Sequence, residues 1–308
     1  MKKVFIDGSA DTTGLRIYER LEARQDIELI RLSEENRKDA QARKQALNAA
    51  DVAFLCLPDD AAREAVAMVE NPLVTVIDAS TAHRTLPEWA YGFPELSGAF
   101  EDKILSSKRI AVPGCHASGF IALVYPLIEA GLLDKETLLT CHSITGYSGG
   151  GKKMIAEYES EERNILLGAP RQYGLTQQHK HLKEMKGVCS LENAPAFSPI
   201  VSDFYSGMVV TVPLFAKQLK GNVADIKKLY AEKYNGEIVQ YKESVDENGF
   251  LSGAALSGKD GMQITVAGND ERILLFAAYD NLGKGASGAA IECMNLAIGE
   301  ERTKGLIL

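Results

Sequence analysis

Short apolar segments alternate with helix-forming segments over the first 116 residues, and this alternation constrains the fold more than any other feature of the chain. The apolar segments are residues 3–7, 27–32, 51–57, 74–78 and 110–112. The third of them is apolar almost throughout, as expected of a strand in a parallel sheet that is covered on both faces. Strands that alternate with helices in this way predict a doubly wound parallel α/β sheet.

The second half of the chain has a different pattern. Its strand-like segments, joined by loops or helices, are residues 137–144, 188–191, 196–201, 208–212 and 273–279. They predict a second sheet, mixed or antiparallel in its strand directions. Because a chain of 308 residues is long for a single hydrophobic core, we expect two domains.

The composition argues against several classes of protein. A net charge of -8 and the lack of a basic tract argue against nucleic-acid binding. No apolar run approaches the length of a membrane span, and Met1 leads directly into a strand, so we expect a cytoplasmic protein with no membrane partner. The five cysteines are scattered and odd in number, which favours a reducing compartment. His179 and His181 lack the spacing of a helical metal site, and we expect no metal.

The turn after the first apolar segment predicts a dinucleotide site. Strand, glycine turn and helix follow one another here, an order that brings backbone N–H groups and a helix N-terminus onto a pyrophosphate. The GxGxxG spacing is absent, Asp11 lies where a middle glycine is expected, and a tight turn needs glycine for steric reasons as well. The residues that we assign to the cofactor in this turn are Gly8, Ser9, Ala10, Thr12, Thr13 and Gly14.

The end of the second apolar segment is the usual place at which such folds bind the adenosine ribose. Ser33, Arg37 and Lys38 follow it, and their side chains suit the 2′-phosphate of NADP. Two glutamates lie among them, and a solvated charged loop is the alternative interpretation. Later turns at the same edge of the sheet, where ligands bind in open α/β folds, add two residues to the cofactor set, Pro58 and Ser80.

A proline–glycine turn separates residues 110–112 from a stretch whose helical spacing begins at Gly119. Cys115 is therefore expected in a turn just ahead of a helix N-terminus. Backbone N–H groups and the helix dipole favour a thiolate at such a place, and a thiolate attacks carbonyl carbon readily. A small buried apolar residue is the alternative interpretation of this cysteine.

Seven blocks of sequence, spread along nearly the whole chain, carry a family resemblance. They are residues 7–15, 77–84, 91–96, 112–118, 179–181, 204–208 and 280–286. In this order they resemble the N-acetyl-γ-glutamyl-phosphate reductase family in its shorter bacterial variant, and the PGC and DNLGKGA blocks are the most specific. The resemblance implies a Rossmann-like NADP-binding domain of residues 1–116 and 283–308. It also implies an α+β catalytic and dimerisation domain of residues 117–282, as in semialdehyde and glyceraldehyde-3-phosphate dehydrogenases.

The same resemblance implies a reaction and roles for particular residues. It implies an enzyme that reduces an acyl phosphate with NADPH in arginine biosynthesis, and we expect a homodimer or homotetramer. Cys115 falls on the nucleophile, which releases phosphate and leaves a thioester. His181 falls on the acid/base histidine, with His179 as the alternative, and Glu184 is expected to orient it. Arg84 follows the pattern of an arginine that grips the substrate phosphate in related semialdehyde dehydrogenases.

Other interpretations stay open. His116 stands where the longer family variant has tyrosine, and it is close enough to perturb the thiolate. Glu184 and Arg84 have the alternative role of structural ion pairs or caps. The same chemistry on another acyl phosphate, aspartyl or carrier-linked, is a second functional hypothesis, and a non-catalytic NADP-binding regulator is a third. Asn281, in the DNLGKGA block, completes the residues assigned to the cofactor.

Overall fold

The computed structural model of the chain describes residues 1–9 and 12–308. Their contacts divide them into two compact units. The first unit comprises Met1–Pro113 and Ala286–Leu306, and the second comprises Gly114–Gly285 and Ile307–Leu308. The domain boundaries expected from the family resemblance stay a prediction.

A parallel sheet forms the centre of the first unit. Its strands are β1 (Lys2–Asp7), β2 (Ile27–Ile30), β3 (Val52–Leu55), β4 (Thr75–Asp78), β5 (Ala90–Tyr91) and β6 (Arg109–Ala111). They lie in the order β2-β1-β3-β4-β6-β5, and neighbouring strands run parallel. The doubly wound parallel sheet expected from the sequence is confirmed.

Helices cover both faces of this sheet because successive side chains of each strand point to opposite sides. The helices between the strands are α1 (Thr12–Glu22), α2 (Ala40–Ala49), α3 (Asp59–Met68) and α4 (Gly98–Ser106). Val4 and Ile6 of β1 pack in one core with α1, α4 and the C-terminal helix, Gly288–Ile298. Phe5 packs in the opposite core with α2 and α3. Asp39 caps α2 by accepting the N–H of Ala42 at 2.7 Å.

The second unit is built on a mixed sheet. Its elements are α5 (Cys115–Glu129), β7 (Thr140–Gly146), α6 (Gly151–Glu159), β8 (Arg171–Gln172), α7 (His181–Val188), β9 (Ala196–Ser202), β10 (Met208–Phe215), α8 (Val223–Lys233), β11 (Val239–Tyr241), β12 (Met262–Gly268) and β13 (Arg272–Tyr279). The strand order is β11-β12-β13-β10-β7-β9-β8. The pairs β7–β9 and β11–β12 are parallel and the other neighbours are antiparallel.

Helix α5 lies in the core of the second unit, packed against β10, β13, α7 and α8. It is apolar around most of its circumference, which is the pattern of a buried helix. One sequence expectation nearby is wrong. The segment 188–191 is not a strand, because α7 continues to Val188 and a turn follows. Its apolar residues are buried at the end of that helix, with Cys189 and Leu191 at most 4% exposed.

No helix within residues 1–9 and 12–308 is both long and apolar enough to span a membrane.

Candidate active site

Cys115 is the first residue of α5, so it belongs to the helix rather than to the turn before it. Gly114 is the N-cap, with an extended backbone, and its carbonyl accepts the N–H of Ser118 at 2.9 Å. The helix begins four residues earlier than expected from Gly119 because Ala117 and Ser118 are small and carry little periodic signal. The first N–H groups of a helix have no partner within it and, with the helix dipole, favour a thiolate. The half-buried Cys115 is therefore placed as a nucleophile requires.

The segment after β13 passes directly against this cysteine. A Cβ built on Gly285 would lie only 3.1 Å from the Cβ of Cys115, so a glycine permits the close approach. Asp280, at the start of the segment, accepts the backbone N–H of Gly258 and the hydroxyl of Ser206 at 2.5 and 3.0 Å. These bonds hold the start of the DNLGKGA block in place.

Three histidines cluster in the second unit. The ring centroid of His116 is 5.7 Å from that of His179 and 5.6 Å from that of His181, and the last two rings are 4.7 Å apart. His181 is the first residue of α7, and its backbone N–H donates to Nδ1 of His179 at 3.2 Å. His179 therefore uses one ring nitrogen to hold the start of α7. In the described part of the chain, no group of three or more His, Cys, Asp or Glu side chains is arranged to hold a metal ion.

His116 is engaged at both ring nitrogens. Its Nδ1 is 2.6 Å from the hydroxyl of Ser143, and its Nε2 is 2.6 Å from the hydroxyl of Tyr173. Burial, together with the neighbouring charge of His179, lowers the pKa of His116 to about 3. The ring is thus neutral near pH 7, and the two hydroxyls leave it no free nitrogen for proton transfer. Tyr173 and Ser143, which the sequence analysis missed, hold it in place.

Glu184 lies one turn after His181 on α7 and is buried. Its Oε1 accepts the backbone N–H of Gly114 at 2.8 Å. The carboxylate therefore ties α7 to the N-cap of α5, directly before Cys115. Its expected role in orienting His181 stays a prediction.

Arg84 belongs to the first unit and binds two backbone carbonyls there. Its Nε donates to the carbonyl of Val112 at 2.8 Å, and one Nη donates to that of Ala79 at 3.0 Å. The guanidinium thus joins the segments that follow β4 and β6. Its expected contact with the substrate phosphate stays a prediction.

A cavity of about 710 Å³ opens at the carboxyl ends of β1 and β2. Gly8 lines it with φ +87°, and a Cβ there would lie 2.2 Å from the carbonyl oxygen of Cys56, so only glycine fits this turn. Arg37 and Lys38 also line the cavity. Its position, size and basic lining fit a dinucleotide.

An ion pair that the sequence analysis missed lies in the same cavity. Asp7, the last residue of β1, would place a carboxylate beside the phosphates of a dinucleotide. Arg43 of α2 binds it through Nε and Nη2, the latter at 2.8 Å, and both side chains are largely buried. The pair neutralises the carboxylate, so that Asp7 does not oppose the binding of an anion. No local pattern joins these residues, which are 36 positions apart.

The other residues assigned to the cofactor lie in the cavity, at a helix N-cap, in a turn or in α1. Ser9 lines the cavity, Pro58 is the N-cap of α3, and the carbonyl of Ser33 holds the turn that leads to Arg37. One assignment, Ala10, lies outside the described residues, as does the neighbouring Asp11. The remaining members of the turn are in α1, namely Thr12, Thr13 and Gly14.

Ser80 and Asn281 use their polar atoms within their own units. The hydroxyl of Ser80 donates to Asp78 at 2.7 Å. The amide of Asn281 accepts the N–H of Gly207 at 2.9 Å and donates to the hydroxyl of Ser148 at 3.0 Å. Both residues shape turns, and their contact with the cofactor stays a prediction.

The fold and the cysteine-centred site define the class of the protein, and comparisons with known proteins agree. The family model of the semialdehyde dehydrogenase NAD-binding domain matches residues 3–103, and that of the semialdehyde dehydrogenase dimerisation domain matches residues 115–281. Aspartate semialdehyde dehydrogenase II of Vibrio cholerae has a similar fold, with a TM-score of 0.73, 16% identity and coverage of 97% of this chain and 98% of that one. The corresponding enzyme of Candida albicans gives a TM-score of 0.69 at 16% identity, with coverage of 96% and 98%.

Closer relatives identify the family within this class. A protein of Rhizobium meliloti named N-acetyl-gamma-glutamyl-phosphate reductase is 45% identical over 305 residues, which cover 96% of this chain and 98% of the relative. A Nostoc protein named N-acetyl-gamma-glutamyl-phosphate reductase 2 is 43% identical over 318 residues, with 99% of both chains covered. The chain belongs to the N-acetyl-γ-glutamyl-phosphate reductase family.

Proposed function

We propose that the protein reduces N-acetyl-L-glutamyl 5-phosphate to N-acetyl-L-glutamate 5-semialdehyde and inorganic phosphate, as a cytoplasmic enzyme of arginine biosynthesis. The observation that carries the proposal is Cys115 at the start of a buried helix, in the same unit as the His116, His179 and His181 cluster. Identity of 43–45% to reductases of that name, over nearly the full length, supports the choice of substrate.

The chemistry follows from the residues of the second unit. The Cys115 thiolate attacks the acyl carbon, the carbon–oxygen bond to phosphate breaks, and a thioester forms on the sulfur. Bound NADPH supplies the hydride that reduces this thioester. His181 protonates the oxygen of the resulting thiohemiacetal or the departing thiolate, so that the semialdehyde leaves and Cys115 is restored. His116, neutral and bonded at both nitrogens, keeps the residue next to the nucleophile fixed.

A single assay separates this function from the alternatives. NADP and phosphate are supplied with N-acetylglutamate semialdehyde in one reaction and with aspartate semialdehyde in another, and the formation of NADPH is followed by absorbance. We expect turnover with the first substrate and little with the second. The reverse preference would assign another acyl group, and activity with neither would contradict an enzymatic function.

The cofactor is proposed to be NADP rather than NAD because Arg37 and Lys38 line the cavity beside the end of β2. Replacing both with alanine removes two positive charges from the place where the 2′-phosphate is expected. We expect weaker NADPH binding and nearly unchanged NADH binding, measured by the quenching of protein fluorescence without substrate. An Arg63→Ala variant, which changes an exposed arginine of α3, is the control. Equal losses for both cofactors would contradict the assignment.

Arg84 is proposed to hold the substrate phosphate in addition to its two carbonyls, because a guanidinium has five donors. Lysine keeps the charge but loses the planar fork. We therefore expect Arg84→Lys to raise the Michaelis constant for phosphate in the oxidative direction, with a smaller effect on NADP binding, and Arg84→Ala to raise it further. An unchanged phosphate dependence with a lowered Tm would make Arg84 a structural clamp of Val112 and Ala79 alone.

The match to a dimerisation domain supports self-association of the chain. We propose a homodimer or homotetramer, and sedimentation equilibrium distinguishes these two states from each other and from a monomer.

A further inference from the structure

The hydroxyl of Tyr279 lies inside the first turn of α5. It donates to the carbonyl of Cys115 at 2.5 Å and accepts the N–H of Gly119 at 2.9 Å. In a regular α-helix these two groups, four residues apart, bond to each other. The hydroxyl is thus placed between a carbonyl and an N–H that otherwise pair directly, and one of them belongs to Cys115.

The sheet fixes the position of this hydroxyl. Tyr279 is the last residue of β13, is fully buried, and is paired with Met208 of β10 on one side and Met262 of β12 on the other. Gly119 leaves room for this hydroxyl, because a Cβ there would lie 2.7 Å from the tyrosine oxygen and 2.7 Å from Val210. The helix can therefore lie this close to the strand only with glycine at that position.

Another tyrosine provides a natural comparison on the same helix. Pro126 has no N–H, so the carbonyl of Ala122, four residues earlier, loses its partner within α5. The hydroxyl of Tyr234 donates to that carbonyl at 2.6 Å. Tyr234 thus repairs the helix two turns beyond Cys115, whereas Tyr279 acts on the peptide group of Cys115 itself.

We propose that Tyr279 is a positioning residue that fixes the first turn of α5 and, through it, the orientation of the Cys115 sulfur. The inference rests on the proposed function only in taking Cys115 as the nucleophile. Without the hydroxyl, the carbonyl of Cys115 and the N–H of Gly119 can close on each other, so the turn tightens and the sulfur moves. A displacement of about 1 Å in a reacting group can lower a rate by about 10²-fold.

The test compares Tyr279→Phe with Tyr234→Phe in the full-length protein. For Tyr279→Phe we expect kcat to fall roughly 10–100-fold with little change in the Michaelis constant for phosphate. We also expect the pH midpoint of Cys115 alkylation by iodoacetamide to move upward, because the N–H groups of the turn no longer face the sulfur as they did. For Tyr234→Phe we expect a fall in Tm of several degrees, with kcat and the alkylation profile nearly unchanged.

The outcomes separate this inference from the proposed function. If both variants lose activity only in step with Tm, and the alkylation profile of Tyr279→Phe matches that of the unmodified protein, the positioning role is wrong. If iodoacetamide labels another cysteine first, or Cys115→Ala turns over, the nucleophile is wrong whatever Tyr279→Phe does. If Tyr279→Phe fails to fold, Gly119→Ala provides the second test, because its Cβ displaces the same hydroxyl and should shift the same alkylation profile.

Discussion

Replacing Cys115 with alanine is expected to abolish turnover while leaving the binding of NADPH unchanged. The substitution removes the sulfur that forms the thioester, and no other group in the proposed mechanism can carry the acyl chain. Alanine is small and suits a helix, so α5 should keep its first turn. Turnover is measured by the formation of NADPH, and binding is measured separately by fluorescence. Retained turnover would contradict the mechanism.

The other cysteines provide the control for this experiment. Cys141 and Cys189 are fully buried, and burial raises the pKa of both thiols, which disfavours the reactive thiolate. Cys115 is half-buried at a helix N-terminus. Iodoacetamide should therefore label Cys115 first, as peptide mass mapping can determine, and Cys189→Ala should retain turnover. Earlier labelling of a buried cysteine would contradict the assignment.

The parallel sheet was predictable from the sequence because its signals are local. Strands β3 and β4 are short runs that are buried at every position, and Pro58 separates β3 from the helix that follows it. These strands could be predicted without knowing which distant residues they contact. The cavity at the ends of β1 and β2 follows from the same order, since parallel strands bring their carboxyl ends to one edge.

The details around Cys115 were not predictable because they depend on pairs that are distant in the sequence. Tyr279 is 164 residues from Cys115, and Glu184 is 70 residues from Gly114. A buried tyrosine at the end of a strand has the same local pattern whether its hydroxyl holds a helix or merely fills the core. The Asp7–Arg43 pair is similar, since an arginine on a helix usually indicates a solvated face.

The start of α5 shows why a helix boundary can be missed even where the break before it is predicted. A helix signal in sequence comes from the period of its apolar residues. Helix α5 is buried on nearly every side, so no solvent-exposed face marks the period in its first turn. The proline–glycine break was correctly placed, and Cys115 is four residues nearer the helix than expected. This position brings it closer to the N–H groups that favour a thiolate.

Replacing His181 with asparagine is expected to lower kcat roughly 10²–10⁴-fold, the usual contribution of a general acid or base. His181 begins α7 and is largely buried, and its ring lies 5.6 Å from that of His116. Asparagine is polar and of similar reach but does not titrate near neutral pH, so it tests proton transfer. Steady-state rates of NADPH formation measure the loss.

The neighbouring histidines make the result specific. His179→Asn replaces the ring nitrogen that accepts the N–H of His181 with an amide oxygen that can also accept it, so the start of α7 should be kept. We expect kcat to fall much less than in His181→Asn. His116 cannot supply the pH dependence near neutrality, because its pKa of about 3 keeps it unprotonated throughout that range. A loss of kcat in His181→Asn that far exceeds the loss in His179→Asn identifies His181 as the proton donor. The opposite ranking of the two variants would move the role to His179, whose ring lies 4.7 Å away.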